Sequence, residues 1–174
     1  MLKKIGLVIL VLILGVLVFA ATRPNTFRVE RSATIKAPPE KIVAHLDDFH
    51  QWPAWSPFEK LDPNMKRTYS GPTSGQGAAY EWKGNSKAGA GRSEILQSSP
   101  SKVTMSLDFT APMTGHDTVD FLLVPRGDST TVTWAMYGPM NYVSKVMCLF
   151  VDMDKMVGKD FNEGLSNLKT VAEK

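Results

Sequence analysis

The side chains of this 174-residue sequence best suited to metal or nucleophilic chemistry are three histidines, His45, His50 and His116, and a single cysteine, Cys148. None of the histidines sits in a spacing suited to a zinc site, and Cys148 has no second thiol for a disulfide or a shared metal. His45 falls on a predicted helix and is expected at the surface. His116-Asp117 stands beside a predicted turn. Adjacent strand residues point to opposite faces, which argues against a direct acid–base dyad. Four groups remain as weak candidates for an acid or base inside a cavity: Glu81, Glu94, Asp108 and His116. A carboxyl turned inward would have a raised pKa and could act as a base. The strand phase, however, puts Tyr80 and Trp82 inward and Glu81 outward. Asp152, Asp154, Asp160 and Glu163 gather around the start of a predicted helix. Asp152 and Asp154 hint at a metal, but a helix cap and charges complementing the helix dipole account for the group better. Arg126-Gly127-Asp128 matches an adhesion tripeptide, yet Gly and Asp are what a hairpin turn needs there. No catalytic set emerges, and no metal or cofactor is expected.

The apolar side chains say more. Trp55, Tyr80, Trp82, Met105, Phe109, Phe121, Trp134, Met136, Met147 and Phe150 are large and adaptable. Taken singly, each fits a filled core. As a set they fit the lining of a ligand cavity, because Met and Trp make adaptable apolar walls. Tyr142–Phe150 is placed to serve as a lid at such a cavity's mouth.

The elements that would hold these residues follow from periodicity. Phe27, Val29, Ala33 and Ile35 form one face of a strand, with Arg31 as its flaw. Pro38-Pro39-Glu40 starts a short helix to about Asp47. Trp52-Pro53-Ala54-Trp55-Ser56-Pro57 cannot continue it. From Met65 to Pro139 the period is two with turn punctuation, and Val103, Met105, Leu107 and Phe109 make the clearest half-buried row. Val119, Phe121 and Leu123, then Val132, Trp134 and Met136, make two more. Met153, Val157, Phe161, Leu165 and Leu168 form a helical stripe interrupted by Gly158 and Gly164. Each of these glycines weakens the helix by about 1 kcal/mol against Ala, so packing must offset it or they admit a close approach to the sheet. The order is α+β: one strand, short helical pieces, about six antiparallel strands and a long C-terminal helix.

Ahead of all this stands an uncharged run, Ile5–Ala21, preceded by Lys3 and Lys4. Its seventeen residues reach the lower limit for a membrane-spanning helix, roughly 17–25. The two lysines favour a cytoplasmic N-terminus and an extracytoplasmic domain. A cleaved signal peptide, cut after Ala20, is the competing reading and would give a secreted or periplasmic domain. The run is long for a signal core of about 7–15 residues, which favours an uncleaved anchor. Residues 1–22 are thus read as an anchor, 23–26 as a linker and 27–174 as one domain. The formal net charge of +3 includes Lys3 and Lys4, so the domain itself carries no electrostatic footprint for nucleic acid.

Five stretches carry a resemblance over residues 27–172: Ala37-Pro38-Pro39-Glu40-Lys41, Trp52–Pro57, Tyr80–Asn85, Val132-Thr133-Trp134 and Met153–Phe161. The sequence resembles the SRPBCC, or polyketide cyclase/dehydrase, branch of the START/Bet v 1-like superfamily. The resemblance implies a helix-grip fold, a curled antiparallel sheet around the long C-terminal helix, with a deep cavity between them for apolar or amphipathic molecules. Three functions stay open. The first is membrane-tethered binding of a lipid, quinone or polyketide-like ligand. The second is a cyclase, dehydratase or hydrolase working in the same cavity. The third is a structural or interaction module of the cell envelope.

Overall fold

The structure, a computed structural model, describes residues 2–174. Helix α1 (Leu2–Ala21) is apolar on every side from Ile5 onward, and that part is almost entirely uncovered. Its segment Lys4–Ala21 has a mean hydropathy of 2.8 and is long and apolar enough to cross a membrane.

Strand β1 (Thr26–Ile35) follows, then helix α2 (Pro39–Leu46) and two 3-10 turns, Phe49–Ala54 and Pro57–Lys60. Pro39 at the first turn of α2 suits its fixed φ, and Ile42, Val43 and Leu46 are the buried stripe. Strands β2 (Lys66–Ser70), β3 (Ala79–Lys83), β4 (Ala90–Ser99), β5 (Lys102–Ala111), β6 (Gly115–Arg126) and β7 (Ser129–Pro139) come next. The chain closes with α3 (Tyr142–Met147) and α4 (Met153–Ala172). All seven strands form one antiparallel sheet in the order β1-β7-β6-β5-β4-β3-β2.

The alternating rows face inward as their periodicity predicts. Val103 and Met105, Val119, Phe121 and Leu123, and Val132, Trp134 and Met136 are all buried. The stripe of α4 closes on them through Phe161, Leu165 and Leu168, each worth about 1.5–3 kcal/mol of burial. Asp152 caps α4, accepting a hydrogen bond from the Lys155 backbone N–H at 3.1 Å.

The two helix glycines are close-approach positions. A Cβ on Gly164 would strike the Trp134 ring, and one on Gly158 would strike the Arg31 guanidinium. Arg31, the flaw in the β1 row, thereby crosses to α4. It donates to the two carboxylate oxygens of Asp154 at 3.0 and 2.9 Å and to the Asp154 carbonyl at 3.0 Å. So Asp154 complements the first turn of α4 and also fastens β1 to it.

A candidate ligand groove

The space between sheet and helix is divided. Its centre is solid. Trp134 stacks on Phe161 with centroids 4.1 Å apart and planes 10° from parallel. Trp55 meets Trp134 edge-on at 5.5 Å, and Phe121 lies 5.1 Å from the same ring. Trp55, Met105, Phe121 and Trp134 are buried in this packing and are not among the residues that line the groove described below. Aromatic side chains pack across the position where the deep cavity is expected.

Toward β2 the inner face carries a run of rings, Phe49, Tyr80 and Trp82, which ends on Phe109 at 5.8 Å from Trp82. Tyr80 is fixed by a buried knot of polar groups. Its hydroxyl donates to Glu59 Oε1 at 2.5 Å, and Arg67 Nε donates to Glu59 Oε2 at 2.7 Å. The Arg67 guanidinium also donates to the carbonyls of Met65 and Glu59. Burial, with the Glu59 carboxylate next to it, pushes the Tyr80 hydroxyl pKa upward. The Trp82 indole N–H donates to the Ala88 carbonyl at 3.0 Å. Tyr80, Trp82, Glu59 and Arg67 are not among the residues that line the groove described next.

Beyond Phe109, at the end of the grip nearest α3, a groove of about 700 Å³ stays open. Strands β1, β5, β6 and β7 and the starts of α3 and α4 surround it, and its wall is mostly apolar, with Phe27, Phe109, Met113, Met136, Met140 and Met153. Of the aromatic and methionine candidates, Phe109 and Met136 lie in this wall. Met147 and Phe150 lie outside it and are exposed. A volume of this size is within the range of small-molecule sites, about 300–1,000 Å³.

Asp117 is the inward carboxyl of this wall. It faces Leu107 across the β5–β6 ladder and shares the parity of Val119 and Phe121, which places it on the concave side. It is half-buried, and Gly138 leaves room for it, since a Cβ there would collide with its carboxylate. Its pKa is raised to about 6, mainly by burial; His116 opposes the shift and the Asp108 charge adds to it.

The four carboxylate and histidine candidates lie on the other face. Glu81 and Glu94 flank Arg92 on the convex side, at 3.6 and 2.7 Å. Asp108 and His116 are opposite each other in the β5–β6 register and pair on that face, although His116 also reaches the groove's rim. No inward acid–base pair is formed by these four. His45 is not a surface residue, as its helix position suggested. It is half-buried, its Nδ1 has no partner among the described residues, and burial together with Lys41 pushes its pKa down. Among the described residues no group of three or more His, Cys, Asp or Glu side chains is placed to hold a metal.

The model of one protein family, described as polyketide cyclase/dehydrase and lipid transport, matches residues 26–173. The chain belongs to that family. No curated protein matches the sequence. Solved structures share the fold of this cyclase/dehydrase and lipid transport family member at low identity. One is a protein from Chromobacterium violaceum, 16% identical, with a TM-score of 0.60 over 87% of this chain and 99% of that one. Another is the Aha1 dimer from Colwellia psychrerythraea, 18% identical, with a TM-score of 0.60 over 84% and 96%. A third is a Staphylococcus aureus protein of unknown function, 11% identical, with a TM-score of 0.61 over 85% and 94%. Each of the three is matched over nearly its whole length. The seven-stranded curled sheet and C-terminal helix are those of the Bet v 1-like fold, which in this family suits hydrophobic ligands.

Proposed function

We propose that the chain is a membrane-tethered binding protein for an apolar or amphipathic small molecule, held in the groove beside Phe109, Met136 and Asp117. The carrying observation is the groove itself: a mostly apolar space of about 700 Å³ in a domain of a family that includes lipid transport. Affinity comes from apolar ligand surface removed from water, at about 25 cal/mol per Å².

The position of the tether supports the membrane part of this reading. Helix α3 packs against the C-terminal end of α1, and the Tyr142 hydroxyl donates to the Leu17 carbonyl at 2.8 Å. Met140 N–H donates to the Asn25 carbonyl at 2.7 Å, and the buried Lys145 ammonium bonds the Asn25 side chain. Next to these ties Val143 is 62% and Phe150 76% exposed, while Asn141 and Ser144 of the same segment line the groove. With α1 in a bilayer, exposed apolar side chains here meet lipid, and the groove opens at the surface where apolar ligands reside. Lys3 and Lys4 set the N-terminus on the cytoplasmic side and the domain outside.

The test uses the full chain, purified from membranes into lipid nanodiscs and extracted with organic solvent. Mass spectrometry should find an apolar or amphipathic species enriched over matched empty nanodiscs. Met140→Trp, which fills the groove, should lose that species while the thermal midpoint is kept. Absence of any enriched species, or equal enrichment in the filled variant, overturns the proposal and favours an interaction module. Acid–base chemistry in the same space would rest on Asp117, since Glu81, Glu94 and Asp108 face away from it.

A further inference from the structure

Asp117 has no hydrogen-bond or ion-pair partner among the described residues, although it is half-buried in an apolar wall. The convex-face carboxylates are treated differently: Glu81, Glu94, Asp108 and Asp120 each face a basic side chain. An unpaired carboxylate in such a place costs stability, and nothing in the fold around it recovers that cost. Gly138 keeps the position open for it.

The surrounding charges define what would fit. Asp108 from β5 and His116 from β6 act on Asp117 from the convex side, where they pair with each other. From α3, Lys145 is turned to Asn25. Arg31 of β1 and Asp154 of α4 hold one another, Lys155 pairs with Asp152, and Arg28 of β1 pairs with Glu30. Strand β7 brings Met136, Gly138 and Pro139 to the site and no charge. The groove wall thus holds a carboxylate and no lysine or arginine.

Resting on the groove reading above, we infer that the ligand is an amphiphile whose polar head carries an ammonium group, seated on the Asp117 carboxylate with its apolar chain along the methionine wall. An ammonium supplies the missing donor and the opposite charge together. An anionic head would place like charges side by side in a space of low dielectric. The pKa of about 6 leaves Asp117 ionised at neutral pH, and a bound ammonium brings it back down toward the ordinary value.

The experiment compares three probes of one chain length, dodecylamine, dodecanol and dodecanoate. Each is radiolabelled and equilibrated by dialysis against the full chain in phosphatidylcholine nanodiscs at pH 7.5, with empty nanodiscs subtracted. Dodecylamine should bind about tenfold more tightly than dodecanoate, with dodecanol between them. Asp117→Asn should keep dodecanol binding and bring amine and acid within about twofold, whereas Asp108→Asn on the convex face should leave the preference unchanged. Lowering the pH to 4.5 should shrink the amine preference of the wild type and of Asp108→Asn, and change little in Asp117→Asn. Lysophosphatidylethanolamine separates the sources: Asp117-dependent binding of it supports a phospholipid head, and its failure beside dodecylamine supports a free amine. Equal or tighter binding of dodecanoate, or an amine preference that survives Asp117→Asn, overturns the inference while dodecanol binding leaves the groove reading standing. If no probe binds the wild type above the empty nanodiscs, both fall.

Discussion

Asp117 has a consequence for the free protein that can be read without any ligand. Its pKa rises from an ordinary 3.8 to about 6, so the folded chain holds this proton more tightly than the unfolded chain. As the pH climbs through that interval the unfolded state loses the proton first, and the fold loses stability that it does not regain above pH 6. Asp117→Asn removes the penalty. Urea unfolding should show the variant more stable than wild type at pH 8, by about 1 kcal/mol, and nearly equal at pH 4. The figure is kept well below the full linkage because the carboxyl is only half-buried. At the centre of the core the indole N–H of Trp134 is buried without a partner among the described residues. Trp134→Phe therefore breaks no hydrogen bond and removes an unsatisfied donor, so that only the smaller ring volume counts against it. Trp134→Ala also removes the stack on Phe161 and should cost about 3–5 kcal/mol, clearly more than Trp134→Phe in the same measurement. Asp117 was legible in part: counting back two places from Val119 reaches it on the inward row. The sequence row stops at Val119 because Pro112 and Gly115 interrupt the pattern ahead of it.

At the scale of elements, the strands and the long helix could be read from period and turns, because each buries one face and shows the other to water. Their packing could not. The sequence shows Gly158 and Gly164 as two weak points of α4, equal in helix propensity, while the structure gives them different neighbours. Gly164 faces the Trp134 ring and Pro57, both held by the core. Gly158 faces the far end of the Arg31 side chain, which can swing. Gly164→Ala should thus lower stability by about 1–3 kcal/mol through overpacking, despite alanine's better propensity. Gly158→Ala should stay within about 1 kcal/mol of wild type, because the guanidinium swings aside and releases Asp154 while the helix gains alanine's propensity. Urea unfolding of the two variants side by side checks the contrast. The filled centre escaped the sequence for a related reason. Trp, Phe and Met furnish a cavity wall or a plug equally well, and only the stacking of Trp134 on Phe161 distinguishes the two. The knot of Glu59, Arg67 and Tyr80 joins residues from a 3-10 turn and two strands, and no spacing in the chain announces it.

For the whole molecule, the apolar helix α1 and the domain differ in composition but are joined by α3. Retention of α1 predicts that the full chain stays in the membrane pellet after carbonate extraction, with the residues before Ala20 still present on N-terminal sequencing. Release into the supernatant with a new terminus at Ala21 would instead mean a freely diffusing domain. The strand order carries a further consequence. Strand β1 is the first part of the domain to be made, yet its hydrogen-bonding partner is β7, with Thr26 opposite Pro139 and Ile35 opposite Thr130. The helix that covers β1 is α4, the last element of the chain. During synthesis β1 is an unpaired edge beside a greasy helix until β7, the last of the strands, has followed it. Such edges recruit other strands, and long-range pairings close slowly. The nascent chain thus carries an unpaired strand through most of its elongation, and any stop before β7 leaves β1 without its pairing strand.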